Sequence, residues 1–382
     1  MIPYGRQNIS VEDIDAVTAV LNSDYLTQGP QVPLFEKNIC AVTKAKYAVA
    51  ANSATSMLHV ACLALGVGEG DSVWTSPITF VASANCALYC GASIDFVDVE
   101  PSTGNMCAQA LEKKLQQAKI NNSLPKVLIP VHMAGHSCDM KAIGSLAQSY
   151  GVKVIEDASH GIGGSYGGSK IGACQYSDIT IFSFHPVKII TTAEGGVATT
   201  NDISLFESMA QFRSHGIIRN RELMLRPDEG DWYYEQHTLG FNYRMTDLHA
   251  ALGNSQIKRL DNFILQRNKL AKSYQNAFAD LGLTCVTPLI NSHSAYHLMI
   301  VQLPHHIVRK DIFNAMRAKD ISVHVHYFPV HLQPYYLQKG FAENDFPNAE
   351  CFYQHCLTLP LYPDLKEEDQ NFIISTLRGL LT

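Results

Sequence analysis

Three features of the sequence carry residue types that fit one chemistry: Lys188, Asp157, and the run Ser53-Ala54-Thr55-Ser56. Lys188 follows an apolar stretch, Ile179-Thr180-Ile181-Phe182-Ser183-Phe184, that reads as a buried strand. Pro186 ends that strand because it has no N–H to give a ladder. Past Lys188 come the glycine pair Gly195-Gly196 and a second short strand over Val197–Thr199. A lysine just beyond a strand, among apolar neighbours, can sit where its ammonium is disfavoured. Its pKa then falls and its amine becomes nucleophilic. A surface lysine in a loop gives the same local pattern, so the other features must decide.

Asp157 ends the run Val152-Lys153-Val154-Ile155-Glu156-Asp157, which also reads as a strand. A carboxylate there can hold a cationic ring nitrogen, or can simply be solvated. Asn52-Ser53-Ala54-Thr55-Ser56 follows a short strand, Tyr47–Ala51, and opens a helix that runs to about Leu65. Free backbone N–H groups and the helix dipole favour an anion there, and small side chains allow close approach. Serine and threonine are also ordinary helix caps.

These features need a scaffold that brings them together. Residues 10–22 form an amphipathic helix capped by Ser10 with Asp13 at its third position, and Ile14, Val17 and Leu21 share a face. Asp24-Tyr25-Leu26-Thr27-Gln28-Gly29-Pro30 is a polar, aromatic loop of the kind that carries binding groups. Strands at Val73-Trp74, Ile94–Val97, Val127–Val131 and Val152–Ile155 alternate with helices at Phe80–Tyr89, 108–118 and Asp139–Tyr150. That alternation predicts an α/β fold, a mostly parallel sheet with helices on both faces. Ligands of such sheets bind beyond the carboxyl ends of the strands. Asn52–Ser56, Ser76–Phe80, His132–His136, Glu156–His160 and Ser183–Lys188 therefore fall on one rim.

A helix over Asp202–His215 follows, then a polar, irregular segment at 216–240, long enough for a functional loop or an inter-subunit arm. Gly240-Phe241-Asn242-Tyr243-Arg244-Met245 leads into a helix from Thr246 to about Leu260, and a longer helix over 261–281 reads as a connector. Beyond it the texture changes. Strands at Tyr296–Val301 and Ile321–Val325 and helices at Val308–Arg317, 347–355 and 366–380 predict a smaller α+β domain. The expected division is 1–260 for the large domain and 261–382 for the connector and small domain.

Composition removes several function classes. Charged residues make up 17% and the net charge is −6, with no basic run, so no nucleic-acid footprint is present. No apolar run reaches the length of a membrane span, and Met-Ile-Pro-Tyr-Gly-Arg lacks a signal-peptide pattern. Ten scattered cysteines without a C-x-x-C pair suggest free thiols in a reducing, cytoplasmic compartment. The 16 histidines include His324, His326 and His331, but no H-E-x-x-H occurs and no carboxylate or cysteine lies at ligand spacing to them. No metal site is expected. Neither a G-x-S-x-G elbow nor a G-x-x-x-x-G-K-[ST] loop is present.

The rim residues taken together suit pyridoxal phosphate. That cofactor needs a lysine for a Schiff base, an acid on its ring nitrogen and a hydroxyl-rich helix start for its phosphate, and it gains from an aromatic face on the ring. Lys188, Asp157, Ser53–Ser56 with Ser183, and Phe80 supply these in turn.

Five ordered motifs then mark a resemblance over almost the whole chain: Asn-Ser-Ala-Thr-Ser at 52–56, Glu-Asp-Ala-Ser-His at 156–160, Phe-Ser-Phe-His-Pro-Val-Lys at 182–188, Ala-Glu-Gly-Gly at 193–196 and Gly-Phe-Asn-Tyr-Arg-Met at 240–245. The sequence resembles the sugar-nucleotide aminotransferases of the DegT/DnrJ/EryC1/StrS family. The resemblance implies the aspartate-aminotransferase-like fold (fold type I of pyridoxal-phosphate transferases) and a homodimer with shared active sites. It implies Lys188 as the Schiff-base lysine, Asp157 as the ring-nitrogen partner and Phe80 as the stacking aromatic. Ala54, Thr55 and Ser183 would bind phosphate, and Asn242 would reach it from the neighbouring subunit. His160 stands where the family commonly has glutamine, near the ring hydroxyl. Tyr4, Asp24, Tyr25, Leu26, Thr27, Ala54, Ser183, Asn242, Arg244, His324, Val325, His326 and Tyr327 would line the substrate site. The implied substrates are L-glutamate and a UDP-linked 4-keto-6-deoxy-N-acetylhexosamine, with amination at C4 and pyridoxamine phosphate as the alternating cofactor form. A sister enzyme for another 4-keto or 3-keto sugar is the alternative. Family dehydratases carry histidine at the lysine position, which Lys188 disfavours, and a non-catalytic binding protein on the same fold is the remaining rival.

Overall fold

The computed structural model describes residues 1–381. Its centre is a seven-stranded sheet built from β1 (Tyr47–Ala51), β2 (Ser72–Thr75), β3 (Ser93–Phe96), β4 (Val127–Ile129), β5 (Lys153–Asp157), β6 (Ile179–Ser183) and β7 (Gly196–Thr200). The spatial order is β1-β7-β6-β5-β4-β2-β3. Strands β2 to β6 pair in parallel, and β7 runs antiparallel to both of its neighbours. Buried Val, Ile, Leu and Phe side chains fill both faces of these strands, as a doubly covered sheet requires. One core cluster joins Met57, Val73, Ile129, Ile155 and Ile181, and another joins Phe35, Phe182, Phe184 and Ile264.

A third cluster lies in the C-terminal part, around Tyr274, Met299, Val323, Leu357 and Ile373. It is built on an antiparallel sheet of Thr284–Cys285, Met299–Gln302 and Cys356–Leu359, reached through the helix Leu260–Ala277. Arg267 of that helix is 1% exposed, and its Nη1 donates to the carbonyls of Tyr296, His297 and Leu361. Burial without a carboxylate partner pulls its pKa down to about 10.

Two expectations need correction. Residues Ile321–Val325 do not form a strand: only single bridges, Ile2 to Ile321 and His324 to Thr358, tie this segment down. It is threaded between the N-terminal residues and the strand Cys356–Leu359, so neither neighbour supplies a continuous ladder. The first helix, Val11–Leu21, has its caps where predicted, but Ile14 and Leu21 are exposed while Asp13 and Val20 are buried. Asp13 turns inward because Gln256 and Arg259 donate to it at 2.6 and 2.5 Å. The segment at 216–240 folds as an irregular excursion closed by a short pairing of Ile217–Ile218 with Glu235–Gln236. Among the described residues no helix is long and apolar enough to cross a membrane.

Candidate active site

The carboxyl ends of β5 and β6, the helix start after β1 and the loop after β2 open onto one cavity of about 460 Å³. Tyr4, Ala54, Thr55, Phe80, Asp157, His160, Ser183, Lys188, His324, His326 and Tyr327 line it, eleven of the residues singled out in the sequence. Thr79, Ser159, His185, Glu194 and His297 also line it and were not assigned a role from the sequence.

Asp157 is the last residue of β5 and is 5% exposed. Ser83 Oγ donates to its Oδ2 at 2.6 Å, and the Ser159 N–H donates to Oδ1 at 3.0 Å. Since the Ser83 proton goes to the carboxylate, the Thr79 hydroxyl 2.7 Å away donates to Ser83. A hydroxyl relay thus fixes the plane of the carboxylate from below. Ser83 sits in the first turn of the helix Ala82–Tyr89, and nothing in its sequence context separates it from ordinary helix-start serines.

Lys188 stands on a loop that leaves β6 and returns as β7. The loop is pinned at both ends. Phe184 N–H donates to Gly195 O at 2.9 Å, Thr192 N–H donates to Phe184 O at 2.9 Å, and Thr191 Oγ1 donates to Phe184 O at 3.1 Å. Within the loop the Lys188 N–H donates to His185 O at 2.9 Å. No hydrogen bond or ion pair holds its Nζ among the described residues. Burial pulls the amine down to about 8, and the negative charge of Asp157 opposes that shift.

At the other side of the cavity, Ser53 caps the helix Ala54–Ala64 by accepting from Ser56 N–H at 3.1 Å. The N–H groups of Ala54 and Thr55 have no acceptor among the described residues, and both residues line the cavity. They are free because a helix's first N–H groups have no intrahelical partner. The helix start packs directly on β7: a Cβ at Gly196 would lie 2.4 Å from Ala54 N. Gly196 pairs with Ser183 across the sheet, so the Ser183 hydroxyl and the helix start share one corner.

The remaining wall is aromatic and imidazole. The His160 and Tyr327 rings lie nearly parallel with centroids 6.3 Å apart, and Tyr327 Oη and His160 Nε2 are 3.3 Å apart. The His297 ring lies 4.5 Å from that of His160, tilted by 42°. Burial, then the charge on Lys188, holds His160 well below the usual imidazole range, so it stands neutral. His160 Nδ1 is buried and has no hydrogen-bond partner. His326 is pushed down to about 3, chiefly by burial and next by His324, and its Nδ1 lies 2.9 Å from Thr358 Oγ1. The His324 and His326 rings stack at 4.6 Å, and Tyr4 packs on both. Phe80 is 60% exposed, with its ring 6.5 Å from that of Tyr327 at the mouth.

The other sequence candidates fall outside this cavity. Asp24, Tyr25, Leu26 and Thr27 form an exposed loop held by a bridge from Thr27 to Thr246 and by Asp247 N–H donating to Leu26 O. Asn242 is exposed and bridges to Ser214, and Arg244 bridges to Ala51. Val325 packs against the core without lining the cavity.

Residues 7–378 match the DegT/DnrJ/EryC1/StrS aminotransferase family. The chain belongs to this family. It is similar to the spore coat polysaccharide biosynthesis protein SpsC of Bacillus subtilis, with 38% identity covering 100% of this chain and 97% of SpsC. It is similar to the UDP-4-amino-4,6-dideoxy-N-acetyl-beta-L-altrosamine transaminase of Campylobacter jejuni, with 37% identity over 100% of this chain and 98% of that one. Among solved structures it resembles Helicobacter pylori PseC, an aminotransferase involved in the biosynthesis of pseudoaminic acid. That match has a TM-score of 0.91 and 31% identity and covers 100% and 99% of the two chains. The pyridoxal-phosphate form of the sugar aminotransferase Spr1654 of Streptococcus pneumoniae matches with a TM-score of 0.90 and 27% identity over 99% and 98%.

The family uses pyridoxal phosphate, and this chain is a sugar aminotransferase of fold type I. The donor set suits that cofactor: an unpaired amine, an oriented carboxylate, two free N–H groups at a helix start and an orphaned imidazole nitrogen all open on one cavity.

Proposed function

We propose that the protein moves the amino group of L-glutamate to C4 of a UDP-linked 4-keto-6-deoxy-N-acetylhexosamine. The substrate in this reading is UDP-2-acetamido-2,6-dideoxy-β-L-arabino-hex-4-ulose. The product is UDP-4-amino-4,6-dideoxy-N-acetyl-β-L-altrosamine, made for pseudaminic acid. The observation that carries the reading is the convergence of Lys188, Asp157 and the Ala54-Thr55 helix start on one cavity, in a chain whose relatives include a transaminase named for that amino sugar. A sister enzyme acting on another 4-keto or 3-keto nucleotide sugar is the second reading, favoured by the similarity to SpsC, whose name specifies no such sugar.

When bound, pyridoxal phosphate supplies the electron sink and carries the amino group between donor and acceptor. Lys188 would be its covalent anchor and, when free, would move a proton to and from the reacting carbon. An amine near 8 is suited to both directions at neutral pH. Asp157, held by Ser83 and Ser159, would accept from the ring nitrogen and keep it protonated. Ala54 and Thr55 N–H with the Ser183 hydroxyl would hold the phosphate, Phe80 would pack on the ring, and His160 would take its hydroxyl.

Tyr4, His324, His326 and Tyr327 line the sugar side. Asp24, Tyr25, Leu26, Thr27, Asn242 and Arg244, outside this chain's own cavity, are read as contributions to the cavity of a second copy in a homodimer. Val325 positions its neighbours in the wall. We place the domain boundary at 260/261, where the connector helix begins, and the enzyme in the cytoplasm, in keeping with ten unpaired cysteines.

The test is product NMR after offering glutamate with UDP-linked 4-keto sugars of L-arabino and D-xylo configuration. The 4-amino L-altro product supports the reading. Amination of only the D-xylo sugar transfers it to the sister reading, and turnover by Lys188→Ala would overturn both.

A further inference from the structure

Away from the cavity, the helix Pro347–His355 carries Cys351 and His355 one turn apart, so both side chains project from the same face. His305 lies in the turn that follows the strand Met299–Gln302 and faces them. His305 Nδ1 and His355 Nε2 are 2.9 Å apart, and one ring nitrogen of each histidine together with Cys351 Sγ lie within 4.8 Å of one another. Two imidazoles and a thiol at these separations need only small rotations to surround one ion at the usual bond lengths of about 2.0–2.3 Å.

We propose that His305, Cys351 and His355 form a binding site for a borderline divalent transition metal, with zinc as the expected occupant. The donor set excludes the hard cations: magnesium and calcium take oxygen ligands, whereas imidazole with thiolate selects zinc, cobalt, nickel or copper. His305 and Cys351 are exposed and His355 is half-buried, so solvent can complete a tetrahedral shell as the fourth ligand. Among the described residues the cluster includes no carboxylate.

The backbone is already set for the ion. Leu303 N–H donates to His355 O at 2.9 Å, tying the start of the turn to the end of the helix. The far end of the same helix is fixed too: Asp98 accepts from the Asn348 and Ala349 N–H groups at 3.1 and 2.9 Å. A bound ion would close the turn 303–308 onto a rod that already spans from the large sheet to the small one. The ion would be structural, since the residues of this cluster do not line the catalytic cavity.

The experiment uses the full-length, cofactor-loaded protein with any affinity tag removed and adventitious metal stripped by chelator. Titration with Co²⁺ should give visible ligand-field bands of tetrahedral cobalt and a thiolate-to-cobalt charge-transfer band, saturating at one equivalent and displaced by Zn²⁺. Cys351→Ser should abolish the charge-transfer band, and His305→Ala should weaken Zn²⁺ binding at least tenfold in calorimetry. Both variants should keep the wild-type circular dichroism, because both positions are exposed. Absence of a charge-transfer band in the wild-type protein would overturn the proposal. So would a band that survives Cys351→Ser, which would place the metal at another thiol, or calorimetric Zn²⁺ binding unchanged in both variants, which would place it at the cavity histidines.

Discussion

Ser83 donates a 2.6 Å hydrogen bond to the Asp157 carboxylate, and this contact links a helix of the rim to the acid at the end of β5. Both groups are buried, with Ser83 at 0% and Asp157 at 5% exposure. A hydrogen bond to a charged group contributes about 1.5–3 kcal/mol, and an acid that must stay aligned with a ring nitrogen depends on it. Ser83→Ala is expected to lower kcat about tenfold or more while leaving the fold intact. Steady-state kinetics with circular dichroism checks this. Wild-type turnover in the variant would mean that the Ser159 N–H alone orients Asp157.

Lys188 gives a pH signature of unusual sign. Burial takes its amine from the ordinary 10.5 down to about 8 in the folded chain. Between those two values the unfolded chain binds the proton and the folded chain does not. Stability of the cofactor-free protein should therefore rise as pH climbs from about 8 to about 10.5, and this contribution should be smallest below 8. The measurement is the urea midpoint of wild type minus that of Lys188→Met across this range. A difference that stays flat refutes the depressed amine. The rate at which a small aldehyde modifies Lys188 should likewise rise through an apparent pKa near 8.

Gly196 permits the contact between β7 and the helix start. A Cβ there would meet Ala54 N at 2.4 Å and Ser53 C at 2.5 Å, both main-chain atoms that cannot swing aside. Gly196→Ala should destabilise the protein by about 1–3 kcal/mol and weaken cofactor retention, because the free N–H groups of Ala54 and Thr55 must shift with the helix. Thermal unfolding and dialysis of the loaded protein read the two effects separately.

Asp13 anchors the N-terminal helix to the residues that precede the connector. It is 1% exposed and accepts from Gln256 and from Arg259. Asp13→Ala leaves a partly buried guanidinium without its partner and should cost about 3 kcal/mol or more. Arg259 retains Asn8 as a partner, so the protein should still fold. The checks are denaturant midpoints for the single and double variants, in which Arg259→Ala should recover part of the loss.

Much of the sheet was legible because its strands are continuous apolar runs and its helices begin with recognisable caps. The same regularity put Lys188, Asp157 and the Ala54-Thr55 turn on one rim. What could not be read were contacts set by tertiary packing. Ser83 and His297 have no local signature, since each is assigned by what sits opposite it. Asp13 looked like a capping residue and is one, but its ion pair with Arg259 spans the sequence. The face of Ile14 and Leu21 was read as buried from periodicity alone, and a helix that turns a carboxylate inward defeats that signal. Ile321–Val325 has strand composition, but the fold gives it no continuous partner.

The antiparallel course of β7 has one more consequence. Ser183 and Gly196 face each other in register, so the excursion that carries Lys188 starts and ends at a fixed rung of the sheet. Adding or deleting one residue between them would either be absorbed in the pinned loop, moving Lys188, or slip β7 by a step and turn its inward side chains outward. Apart from Lys188, the cavity-lining His185 and Glu194 and the pinning Thr191 and Gly195, the side chains of this excursion are less constrained than its residue count. Chains that keep the reactive amine in this position should differ there by substitution and hardly ever by length.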